Sequence, residues 1–72
     1  MELTEGTYRL NYETGEYKNQ NTVISLKRAK NGKIGIKAKG AFIVTSNFRF
    51  RYFKRQYKIT PIGADVFFVT KL

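Results

Sequence analysis

Most of the side chains in this sequence that could do chemistry are cations. Between Glu16 and Asp65 lie 48 residues with no acidic side chain and twelve lysines and arginines, in a chain of 72 residues and net charge +9. Lysine offers a mobile point charge and arginine a planar fork of N–H donors, and both suit phosphate oxygens. A surface of one sign repels itself, so a compact fold that carries one calls for a polyanionic or acidic partner. Two readings need no partner: an ordinary solvated face, or edge-strand lysines that block aggregation. Neither explains why carboxylates are missing from the segment, where local pairing would relieve the repulsion.

Catalytic chemistry has little to draw on. The chain holds no histidine and no cysteine, so the commonest general base, metal ligand and thiolate nucleophile are absent. The acids Glu2, Glu5, Glu13, Glu16 and Asp65 fall near the ends and at one turn, without the spacing of a metal site or an acid/base pair. Ser25 and Ser46 have no base to activate them, and no glycine-rich phosphate loop is present. These absences argue against an enzyme, a bound metal and a cofactor. Without cysteine there is also no disulfide framework, and packing alone must hold the fold.

The elements that position the cations read as strands. Phe42, Phe48, Phe50, Phe53, Phe67, Phe68 and five tyrosines supply bulk for a small core. Apolar and polar residues alternate, with turn signals at short intervals. Thr7–Tyr12 is a first strand with Tyr8, Leu10 and Tyr12 on one face. Glu13-Thr14-Gly15-Glu16 is a turn, followed by a polar excursion through Asn19-Gln20-Asn21. Thr22–Arg28 is a second strand, and Lys30-Asn31-Gly32 the strongest hairpin signal, because Asn and Gly tolerate positive φ. Lys33–Val44 is a long third strand interrupted at Gly40. After a turn at Thr45-Ser46-Asn47, a fourth runs from Phe48 to Ile59 and ends at Pro61-Ile62-Gly63, and Val66–Leu72 is the fifth. The expectation is an all-β fold with no long helix. It is one small domain over residues 1–72, a five-stranded, strongly bent antiparallel barrel, SH3-like or OB-like. No apolar run approaches the roughly 18 residues of a membrane span. The acidic start, Met1–Glu5, lacks the features of a secretory signal, so a cytoplasmic location is expected.

Register follows from keeping apolar side chains on one face. A three-residue loop with Gly32 left-handed pairs Leu26 with Ile36 and Ile24 with Ala38. In the next hairpin, Val44 opposite Phe48 sets Phe42 across from Phe50 and Tyr52 across from Gly40. A β-bulge near Phe53–Arg55 then restores Ile36 with Tyr57 and Ile34 with Ile59. The inward set is Ile24, Leu26, Ile34, Ile36, Phe42, Val44, Phe48, Phe50, Tyr52, Tyr57 and Ile59. The outward set is Lys27, Lys33, Lys37, Lys39, Arg49, Arg51, Lys54 and Lys58.

These eight cations, with Arg55 and Phe53, are the candidate interface. Phe53 either presents a ring for base stacking, worth about 1–3 kcal/mol, or tucks into the core. Tyr8, Tyr12 and Tyr17 flank the first turn as a second aromatic surface. Lys39-Gly40-Ala41-Phe42-Ile43-Val44 resembles the RNA-binding strand of cold-shock and RNA-recognition-motif domains. The likeness covers six residues. Ala41 stands where the first stacking aromatic belongs and Phe42 replaces the second glycine, so no family is assigned. The expected function is a non-enzymatic nucleic-acid-binding module, with DNA and RNA both open. The alternative is a small adaptor or inhibitor, of the size of a phage or mobile-element accessory, docking its basic face on an acidic protein surface. Attachment to anionic lipid ranks last, as no amphipathic helix is evident. A monomer is expected, with the last strand, apolar on both faces, lying between the first strand and the core rather than sealing a dimer.

Overall fold

The alternation at the N-terminus becomes a hairpin of two strands in the computed structural model, which describes residues 2–20, 22–28 and 30–72. Strand β1 (Gly6–Asn11) pairs with β2 (Glu16–Asn19) across the expected turn, closed by the Gly15 amide donating to the Asn11 carbonyl at 2.7 Å. Residues 16–19 thus form a strand where the sequence suggested a turn and a polar excursion. The segment has few apolar residues, and it is recruited by ladders to β1 and β3. Asn21, the end of that excursion, lies outside the described residues, as do Met1 and Ala29. Strand β3 (Thr22–Arg28) has the expected bounds and pairs with β4 (Ile34–Ala38) in the expected register, Leu26 with Ile36 and Ile24 with Ala38. Asn31 and Gly32, with φ of 64° and 73°, turn the chain in a left-handed conformation that these residues adopt at low cost.

Beyond β4 each expected long strand is folded back on itself. Lys39 and Gly40, with φ of 47° and 86°, make a two-residue turn with the two positive φ angles of a type I′ hairpin. The chain then returns as β5 (Ala41–Thr45), paired with β4 rather than continuing it. Phe53 and Lys54 turn the chain again, from β6 (Arg49–Tyr52) into β7 (Arg55–Gly63). The expected bulge at Phe53–Arg55 is therefore a hairpin turn. The irregularity lies instead between Pro61 and Gly63, within β7 and not beyond its end, where a residue without an N–H interrupts the ladder. Strand β8 (Val66–Lys71) lies between β1 and β7.

Among the described residues the sheet thus has eight strands, not five, in the order β5-β4-β3-β2-β1-β8-β7-β6. Its end strands, β5 and β6, lie against each other, so the all-β sheet is a nearly closed antiparallel barrel. The corner between them is held by the Thr45 hydroxyl donating to the Arg49 carbonyl at 2.6 Å. Eight strands leave an interior that side chains alone can fill. Tyr8, Ile24, Ile36, Phe50, Tyr52, Tyr57, Ile59, Phe67 and Val69 fill it. The N-terminal segment joins them: Leu3 is buried and its amide donates to Tyr57 Oη at 3.0 Å, while Tyr8 Oη donates to the Thr4 carbonyl at 2.6 Å.

The new pairing reverses part of the expected inward set. With Lys37 opposite Phe42 and Gly35 opposite Val44, it is Ala41, Ile43 and Thr45 that face inward, and Phe42 and Val44 point to solvent. Phe48, at φ 61° in the corner, is also exposed. The tyrosine surface shrinks too, because Tyr8 is buried and Tyr17 packs its ring 4.7 Å from that of Phe67, leaving Tyr12 outside.

Candidate nucleic-acid interface

Alternation puts Lys27 of β3, Lys37 of β4, Arg49 and Arg51 of β6 and Lys58 of β7 on the outer wall, because their neighbours Leu26, Ile36, Ala38, Phe50, Tyr57 and Ile59 face inward. Lys33, Lys39 and Lys54 occupy the connections between strands and are exposed. The cations do not gather on one flat face, as the outward set read from the sequence suggested they would. They follow the curvature from β3 round to β7, with uncharged β5 in the middle. There Phe42 and Val44 stand 62% and 48% exposed between the two cationic flanks.

Repulsion along this wall is direct. Arg49 and Lys58 are cross-strand partners, a placement that brings like charges within a side chain's reach. Among the described residues only Arg55 and Lys71 form ion pairs, both with Glu2, at 3.8 and 2.6 Å. One acid borders the wall: Glu16, just before the acid-free segment, lines a shallow groove with Ser25, Lys27, Lys37 and Lys39 and accepts from Ser25 Oγ at 3.4 Å. The remaining acids lie outside the strands, and one of them, Glu2, pairs with Arg55 at the start of β7. Glu2 and Glu5 precede β1, Glu13 lies in the β1–β2 turn and Asp65 in the β7–β8 turn.

The other candidates fall at the β6–β7 turn. Phe53 is 59% exposed and stands edge-on to Tyr52, ring centroids 4.6 Å apart, so it is not tucked into the core. With Glu2, Lys54 and Arg55 it lines a shallow concavity. Glu2 beside Arg55 offsets positive charge at this end of β7. Phe42 escaped the sequence reading because Ala41-Phe42-Ile43-Val44 is apolar on both faces, and alternation cannot orient such a strand. The available signal was Gly35, a strand glycine with room above it for a ring.

No known family model matches the chain, and no curated protein or solved structure does either. Among the described residues no helix is long and apolar enough to cross a membrane, and no cluster of acidic side chains is placed to hold a metal ion.

Proposed function

We propose that this chain is a non-enzymatic nucleic-acid-binding module whose barrel wall from β3 to β7 contacts the phosphate backbone. The observation that carries the reading is the segregation of charge: like charges face each other across β6 and β7, while none of the strands β3 to β7 carries a carboxylate. A polyanion laid along that wall converts repulsion into attraction and releases counterions from the nucleic acid. Apolar side chains lie within the cationic belt and not apart from it, which favours nucleic acid over an acidic protein as partner.

The test is titration of fluorescent single-stranded DNA, duplex DNA and RNA at two salt concentrations. The greatest extent of the molecule, 29 Å, equals roughly eight to nine base pairs at about 3.4 Å each, so somewhat longer probes cover the wall. Binding should weaken steeply with salt. Replacing Arg49, Arg51 and Lys58 with alanine should lower the log–log slope by about 0.9 per lost contact on duplex and about 0.7 on single strands. Absence of binding to all three probes at low salt would overturn the proposal and leave docking on an acidic protein surface as the reading.

A further inference from the structure

The geometry points to a single-stranded nucleic acid as the preferred ligand, with Phe42 as the platform on which a base stacks; this inference rests on the nucleic-acid reading above. Phe42 lies on the one strand of the wall that carries no charge, and it is far more exposed than Phe50 or Phe67. Its ring reaches diagonally across the ladder to Gly35. A Cβ built on Gly35 would lie 2.9 Å from Phe42 Cζ and 3.1 Å from Cε1, so only a glycine leaves the ring its seat over the β4 backbone. The ring is thereby braced against the sheet while the residue as a whole stays exposed. Val44, two residues on, extends the apolar strip on the same face.

The charges around this strip suit a strand whose bases are unpaired. Lys37 is directly opposite Phe42, Lys27 is opposite Gly35, and Arg49 and Arg51 stand on β6 beyond the seam. A backbone crossing the wall would find cations on both sides of the ring. A duplex turns its phosphates outward and keeps its base faces stacked inside, so an aromatic ring on a convex wall contributes nothing to holding it. A single strand can turn a base face onto that ring while its phosphates reach the flanking cations.

The experiment compares a single-stranded oligonucleotide of about 16 residues with a duplex of equal length, using wild-type protein, Phe42→Ala and Phe42→Leu. Leucine keeps apolar cover over Gly35 without a flat ring, so it separates stacking from loss of packing, and circular dichroism checks the fold of both variants. Wild type should prefer the single strand. Both variants should weaken single-strand binding by roughly 5- to 150-fold, the range of one base–aromatic stack. Their salt slopes should match wild type, and duplex affinity should stay within about twofold. If both variants bind the single strand as wild type does while the arginine and lysine substitutions still weaken it, the inference falls and the nucleic-acid reading stands. Equal wild-type affinity for the two probes also overturns it. Failure of wild type to bind either probe, whether made of DNA or of RNA, removes both.

Discussion

Glu2 ties the N-terminal segment to the barrel. Lys71 Nζ donates to its Oε1 at 2.6 Å and Arg55 lies at 3.8 Å, and the Lys71 hydrogen bond holds the Glu2 carboxyl below its usual 4.5. The same contact raises the Lys71 ammonium above its usual value. Because the Glu2 pKa is depressed in the folded state, its contribution is present above 4.5 and lost as pH falls through the folded value. The Lys71 contribution is present below its unfolded pKa and fades only as pH rises through the folded one. The denaturation midpoint of wild type should therefore fall as pH is lowered from about 5.5 to about 3, and Glu2→Gln should flatten that fall. Equal slopes for the two proteins would show that the pair does nothing for stability. Tyr12 has a parallel contact at the other end of β1, where its hydroxyl donates to Asp65 and is held above its usual pKa by that bond.

At the scale of elements, three hairpin turns decide the topology, and they differ in how openly the sequence announces them. Asn31-Gly32 is a turn signal in its own right, and the register read from it holds from Ile24–Ala38 to Leu26–Ile36. Lys39-Gly40 was legible as an interruption only. Reading it as a bend left Phe42 facing the core, whereas the hairpin turns that side chain outward. Phe53-Lys54 carries no turn chemistry, and Phe53 takes φ of 57°, a conformation that bulky residues rarely adopt. The positive φ at Gly40 has a measurable consequence. Gly40→Ala meets no neighbour within 4 Å, so its cost is conformational, about 1–2 kcal/mol of unfolding free energy, read by denaturant titration. A loss well below that range would mean that the hairpin does not need a left-handed residue at this position.

The molecule as a whole carries +9 over extents of 29 × 28 × 23 Å. At about 0.01 M salt the screening length is about 30 Å, so cations across the whole barrel repel one another; at about 0.15 M it is about 8 Å, and only neighbours do. Added salt should therefore stabilise the free protein, raising Tm by about 4–8 °C for each kcal/mol of repulsion removed. A midpoint that stays level or falls would contradict an unrelieved cationic wall. Composition, charge spacing and alternation determined the strand-built fold, the bounds of β3 and most of the core, because each depends on residue type and local period. The number of strands, the outward turn of Phe42 and Val44 and the division of the cations by an apolar strand were decided by tertiary pairing alone. A strand apolar on both faces reads the same in either orientation, and only its ladder partner selects which face meets water.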